Sequence, residues 1–179
     1  MNWRLFGGRR HFLLKMIPRL LLLCVASVIV LHAVDAPAQG TKASESDLKA
    51  AFLARFPEYV TWPAPAGSIT VGIVGADPFG GALDKSIRVR HGKQVEDLKG
   101  CQIVFIPKGE NASAILSALA GTNVLTVGDG EGFARQGGVI GFVMEGDKVR
   151  FEINAGAAKK AGLTIKTQLL KLAVRVIGQ

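Results

Sequence analysis

The chain of 179 residues carries 22 Lys and Arg side chains against 14 Asp and Glu, which gives a net charge of +8. The first 38 residues hold five of the basic and one of the acidic side chains, so 17 and 13 remain in the rest of the chain. Half of the net positive charge therefore belongs to the N-terminal segment, and a net charge of +4 remains in the rest of the chain. The remainder lacks the clustered basic stripe of a nucleic-acid-binding domain, and we expect no nucleic-acid partner.

The first 38 residues have the three-part layout of a secretory signal peptide. A basic head ends at Arg19, an apolar run spans 20–31, and the small residues of 36–38 follow. This run is shorter than the about 20 residues that a transmembrane helix needs. We predict export and cleavage after about Ala38. A retained signal anchor and lipid attachment at Cys24 are the alternatives.

Residues 39–46 are small and polar, and we predict a flexible N-terminus of the mature chain there. Residues 47–179 are of a normal size for one domain and contain no internal repeat. We therefore expect a single domain over 47–179.

Hydrophobic periodicity and turn residues predict an alternation of helices and strands along this domain. Ser46 or Asp47 is a candidate N-cap for the first helix, and Asn111 and Asn154 are candidates for two later ones. In chain order, the predicted elements are a helix over 48–56, a strand over 69–74, a half-exposed strand over 87–90, a helical turn over 95–99, a strand over 102–106, a helix over 112–120, a strand over 123–127, a hairpin over 138–144 and 148–153, a helix over 155–161 and a final amphipathic helix over 165–177.

Apolar strands separated by helices are typical of a parallel sheet that is covered on both faces. The predicted fold class is α/β: a single three-layer α/β/α domain. Its sheet is mostly parallel, with a C-terminal antiparallel hairpin towards one edge.

The residues that usually carry catalysis are scarce after cleavage. One histidine, His91, and one cysteine, Cys101, remain after residue 38. Neither a catalytic triad nor a zinc site can be assembled around them. His91 lies in a polar, turn-like segment, where an exposed side chain is expected. Cys101 opens an apolar strand, which favours a buried thiol over a redox-active one. We predict no enzyme activity, no cofactor and no metal, and keep Cys101 as the redox candidate.

Three buried strands, ending at Val74, Ile106 and Val127, run directly into glycine-containing loops. Ligands of open α/β sheets bind at the carboxyl ends of the parallel strands, where such loops gather. The set Gly128-x-Gly130-x-Gly132 lacks the spacing of a dinucleotide-binding motif and is interpreted as turn glycine. The predicted ligand or partner site consists of residues from these loops, together with a partly exposed tryptophan: Asp77, Phe79, Lys108, Asp129, Phe133 and Trp62.

Several stretches of the chain resemble the YfiR family, in the order in which that family has them. The clearest are Val124-Leu-Thr-Val-Gly128-Asp129 and Arg150-Phe151-x-Ile153-Asn154. The similar segments together cover nearly all of 47–179; they are 49–53, 56–63, 71–80, 100–106, 124–133, 137–142, 150–154, 161–163 and 168–173.

The resemblance implies a periplasmic α/β protein that is not an enzyme. The name-giving member represses a membrane-bound diguanylate cyclase by binding its periplasmic sensor domain, which lowers cyclic di-GMP and biofilm formation. That repressor also uses disulfides in a redox response. This chain keeps only Cys101 after cleavage, so a redox switch within one molecule is excluded here. Its segment 79–101 is also shorter than is usual in the family.

Two functions follow as hypotheses. The first is repression of a diguanylate cyclase through contact with its periplasmic sensor domain. The second is binding of a small ligand in the periplasm, or a role as an accessory to a transporter, and the gathered strand-end loops motivate it. The sequence leaves open whether the protein forms a homodimer.

Overall fold

The computed structural model describes residues 43–64, 67–83 and 87–178. The predicted signal peptide over 1–38 lies outside these residues, as do residues 39–42 of the predicted flexible segment. Residues 43–46 of that segment are described, and the first helix already begins within them, with Ser44 as its N-cap. None of the helices within them is long and apolar enough to cross a membrane.

The described part of the chain alternates between helices and strands, as the sequence predicts. The helices are α1 (Glu45–Arg55), α2 (Ala112–Ala118), α3 (Ala155–Lys160) and α4 (Thr167–Leu172), with 3-10 turns at Phe56–Tyr59 and Val95–Leu98. The strands are β1 (Val60–Thr61), β2 (Thr70–Val74), β3 (Arg88–Gly92), β4 (Ile103–Ile106), β5 (Leu125–Gly128), β6 (Ile140–Glu145), β7 (Lys148–Asn154), β8 (Thr164–Ile165) and β9 (Arg175–Ile177).

Side-chain caps fix where three of the helices begin. Asn111 accepts a hydrogen bond from Ala114 N, and Asn154 accepts one from Ala157 N, as predicted. Helix α1 begins earlier than predicted because Ser44, and not Ser46 or Asp47, is its N-cap. Ser44 accepts from Asp47 N and donates to the Asp47 carboxylate in a capping box.

A seven-stranded sheet with the order β3-β2-β4-β5-β6-β7-β9 forms the centre of the described domain. Its first five strands in this order are parallel, β6 and β7 form an antiparallel hairpin, and β9 is parallel to β7. A separate antiparallel pair joins β1 to β8, with Val60 opposite Ile165. The predicted mostly parallel α/β fold is confirmed.

Alternate residues of the central strands enter two cores, one on each face of the sheet. Phe105 of β4 lies in the larger core. There, Phe52 of α1 and Phe56 of the following 3-10 turn pack against Phe142 and Phe151 with ring centroids 5.5–6.3 Å apart. The smaller core lies on the opposite face and contains residues of β2, β4 and α2 together with Leu98, Cys101 and Phe133. Burial on both faces explains the continuous apolar runs in the sequence and produces three layers.

The prediction of one amphipathic helix over 165–177 is wrong. Only Thr167–Leu172 is helical, because Ala173 adopts an extended conformation with φ −68° and ψ 140°. The β-branched residues that follow extend the sheet instead, and Val176 lies opposite Ile153 of β7. Strand β9 therefore forms one edge of the sheet, and the antiparallel hairpin predicted towards an edge lies next to it.

Candidate functional site

The loops that follow β4 and β5 meet at the carboxyl edge of the sheet, as the topology predicts. Lys108 and Phe133 line one shallow cleft of about 320 Å³ there, together with Glu110 and Gln136. The side chain of Glu110 also reaches the loop after β2, since it occupies the space that a Cβ on Gly75 would need. Three strand-end loops are thus in contact at this edge.

Phe133 forms the floor of this cleft. Its ring is buried and lies flat against Gly128 and Gly138, where a Cβ on either glycine would overlap with ring atoms. The ring is therefore part of the smaller core, and a ligand in the cleft would meet it only as an apolar surface. The polar side chains that line the cleft are those of Lys108, Glu110, Asn111, Ser113, Glu131 and Gln136.

Asp129 is bound by a lysine of the first helix. Lys49 Nζ donates to Asp129 Oδ1 at 2.6 Å and also to the carboxylate of Glu45, and the lysine side chain is only 8% exposed. Burial alone would lower the pKa of Lys49, but the two carboxylates outweigh it and raise that pKa above its ordinary value. Asp129 thus connects the loop after β5 to α1.

Asp77 and Phe79 shape the loop after β2 and do not line the cleft. Asp77 Oδ1 accepts a hydrogen bond from Phe79 N at 2.7 Å, which closes a local turn. The Phe79 ring is buried, with its centroid 4.7 Å from that of Phe105. Asp77 remains exposed at this edge.

Trp62 and Cys101 lie at the opposite, amino end of the parallel strands. They line a second cleft of about 400 Å³, whose walls include Leu98, Lys99 and Leu119. Within the described residues, the buried indole Nε1 of Trp62 has no hydrogen-bond partner. The six predicted site residues are therefore divided between two ends of the sheet.

The thiol of Cys101 is buried in the smaller core, with 3% of the residue exposed. Burial raises the pKa of the Cys101 thiol, against a smaller opposing effect of Arg90. His91 is exposed, but it lies in edge strand β3 and not in a loop. In residues 43–64, 67–83 and 87–178, no group of three or more His, Cys, Asp and Glu side chains could hold a metal ion.

The structure contains a second ionic centre, which lies outside the predicted site. Glu152 of β7 is buried, and its Oε1 lies 3.2 Å from both Arg135 Nη2 and Arg175 Nε. One feature of the sequence points to this centre. Glu152 lies between the apolar residues Phe151 and Ile153 of a strand, and because side chains alternate along a strand, its carboxylate must lie on the opposite face of the sheet from theirs.

These features define a small α/β domain with shallow, loop-lined clefts at both ends of a parallel sheet. The model of the YfiR/HmsC-like family matches residues 46–174, and the chain belongs to that family. Comparison with curated proteins gave no match.

The fold has a solved counterpart in a conserved domain protein from Vibrio cholerae O1 biovar El Tor str. N16961. The two structures superpose with a TM-score of 0.52 at 10% sequence identity. The aligned region covers 74% of this chain and 60% of the Vibrio chain, so this chain spans less than two thirds of that protein. The likeness supports the α/β fold.

Proposed function

We propose that this protein is a periplasmic regulator that represses a membrane-bound diguanylate cyclase by binding the periplasmic sensor domain of that enzyme. The observation that carries the proposal is the family match over 46–174, which includes nearly the whole described domain. The signal-peptide pattern over 1–38 supports a periplasmic location.

Repression by contact needs no bond-making residues in this chain. A protein that binds the inactive state of the sensor more tightly than the active state shifts the population towards inactivity. A difference of about 1.4 kcal/mol between the two binding free energies changes the ratio of the states tenfold. Modest contacts on the surface of the domain are therefore sufficient for this role.

Co-expression with a diguanylate cyclase that carries a periplasmic sensor domain tests the proposal. We expect cyclic di-GMP, measured by mass spectrometry of cell extracts, to fall when the full chain is present. A chain without residues 1–38 is the matched control, since it keeps the domain but lacks the predicted export signal. Equal cyclic di-GMP with and without the full chain would contradict the proposal.

The two clefts favour small-ligand binding as a second candidate function, either alone or beside a transporter. Their volumes of about 320 and 400 Å³ suit a molecule of the size of an amino acid or a nucleotide. A ligand present at 100 times its dissociation constant adds about 2.7 kcal/mol to the free energy of unfolding. A thermal-shift screen with amino acids and nucleotides tests this candidate, and an unchanged melting temperature throughout would reject it.

A further inference from the structure

Glu152 is the one buried carboxylate among the described residues, and two exposed arginines depend on it for their position. It lies in the middle of β7, opposite Gly141 of β6 and Arg175 of β9. Because Gly141 has no side chain, the turn that carries Arg135 can pack closely above it, with Ala134 N only 3.1 Å from where a Cβ would lie. Asn154 Nδ2 fixes the same turn by donating to Ala134 O at 2.8 Å.

One oxygen of Glu152 holds both guanidinium groups at 3.2 Å, while the two arginine side chains remain 59% and 58% exposed. A single buried carboxylate thus brings two guanidinium groups together. The three groups carry a net charge of +1, and each guanidinium keeps N–H donors that Glu152 does not use. This arrangement is preorganised for a second carboxylate on the solvent side.

The same face of the sheet carries further positive charge. Arg150 lies two residues before Glu152 on β7 and therefore projects to the same side, as does Lys148. Arg150 Nε is buried without a hydrogen-bond partner among the described residues, and it lies 3.8 Å from Glu145 Oε2. This part of the face carries four cations and two carboxylates. Arg135 and Arg175 pair with Glu152, Arg150 pairs with Glu145, and Lys148 lies on the same side of β7.

This part of the sheet face is only partly covered. The helix on this side, α2, packs on residues of the smaller core such as Val74 and Val104, which belong to β2 and β4. Val143 and Ile177, which share the face with Glu152, stay half-exposed. Arginines beside half-exposed aliphatic residues are typical of protein interfaces.

We propose that this arginine face, formed by Arg135, Arg150 and Arg175 around Glu152, binds an acidic segment of a protein partner. The inference rests on the proposed function, which makes that partner the periplasmic sensor domain of the cyclase. A net-positive face can contact several carboxylates of one extended segment. Glu152 is a positioning residue, and the arginines make the contact.

Binding of the purified chain to the purified periplasmic sensor domain of a diguanylate cyclase, measured by calorimetry at two salt concentrations, tests the inference. We expect Arg135→Ala and Arg175→Ala each to weaken binding about tenfold and to reduce its salt dependence. Arg135→Lys keeps the positive charge but lacks the planar guanidinium group, which can donate two parallel hydrogen bonds to a carboxylate. We expect this variant to lose less affinity than Arg135→Ala. Arg55→Ala on α1 is the matched control, since Arg55 is 72% exposed and lies outside the arginine face.

The outcomes separate the two proposals. If the unaltered chain does not bind the sensor domain, the proposed function is contradicted. If it binds, and both alanine variants bind equally well, only the arginine face is contradicted. Variants that lose self-association while they keep sensor binding would also contradict it, because the face would then hold a second copy of the chain. Melting temperatures near that of the unaltered chain confirm that the variants are folded.

Discussion

Lys49 is the one buried cation among the described residues, and it connects two parts of the chain that are distant in sequence. Its ammonium group bonds Glu45 in the same helix and Asp129 after β5. Burial of a charge is tolerated only with such partners. The lysine therefore fixes α1 above the carboxyl edge of the sheet.

We predict that Lys49→Met lowers the free energy of unfolding by about 1–3 kcal/mol, because Asp129 and Glu45 lose a charge-assisted hydrogen-bond donor. Urea denaturation followed by circular dichroism measures the change. The matched control is Lys148→Met, since Lys148 is exposed. An equal effect of the two substitutions would show that the buried ion pairs add nothing to stability.

The contribution of Lys49 also depends on pH. The pKa of Lys49 in the folded protein is raised above its ordinary value of 10.5, which the unfolded chain retains. The stabilisation is therefore fully present below pH 10.5 and is lost as the pH rises through the higher folded pKa. We expect the difference in unfolding free energy between the unaltered chain and Lys49→Met to stay constant from neutral pH and to shrink only above 10.5. A difference that already shrinks below that pH would contradict this.

Cys101 is buried, and burial raises its pKa, so little thiolate is available for reaction. In a chain with Cys24→Ser, we expect the Cys101 thiol to react with a disulfide reagent slowly in buffer and rapidly in urea. Absorbance of the released thiolate follows the reaction. Equal rates in the two solvents would indicate an accessible thiol and would support Cys101 as a redox candidate.

At the scale of elements, the fit of the Phe133 ring between Gly128 and Gly138 determines how the turn after β5 packs on the sheet. We expect Gly138→Ala to lower the free energy of unfolding by about 1–3 kcal/mol, because the added methyl group overlaps with the ring. Gly130→Ala is the matched control, since a Cβ there would have no neighbour within 4 Å.

A double substitution separates this steric effect from backbone effects. In Phe133→Leu, the smaller side chain leaves room for the methyl group, so Gly138→Ala costs less there than in the unaltered chain. The same cost in both backgrounds, measured by urea denaturation, would exclude the clash as its cause.

The central strands could be predicted from the sequence, but the C-terminal elements could not. Strands β2, β4 and β5 are buried on both faces and therefore appear as short apolar runs between turn residues. The residues of 165–177 also have helical spacing, and pairing of Val176 with Ile153 determines that part of them becomes a strand. That pairing depends on long-range contact, which local periodicity does not contain.

The candidate site was predictable at the level of loops, and less so for side chains. The topology placed Lys108 and Phe133 at one edge, where they line the same cleft. The sequence did not show that Phe79 and Phe133 point into the cores, because aromatic residues in loops are common on surfaces as well. Glu152 and its two arginines come from three separate segments, and only the folded sheet brings them together.

For the whole molecule, the two cores share the same strands, since adjacent residues of β4 such as Phe105 and Ile106 enter opposite cores. Loss of one core would leave these strands unsupported, so we expect the domain to unfold in a single transition. In a chain that begins at Gln39, Trp62 is the only tryptophan, and its fluorescence reports on the amino end of the sheet. The urea midpoints from Trp62 fluorescence and from far-ultraviolet circular dichroism should coincide. Different midpoints would show that the amino end of the sheet unfolds separately from the rest of the domain.

The short β1–β8 pair has a consequence for how the chain matures. It joins Val60 and Thr61 to Thr164 and Ile165, and Lys166 N donates to Tyr59 O beside it. A growing polypeptide cannot form this contact until almost all of it has been synthesised. Strand β1, near the start of the domain, therefore stays unpaired until β8, near its end, is available. Products that stop before Thr164 would retain an open backbone edge at β1 and would be expected to aggregate or to be degraded.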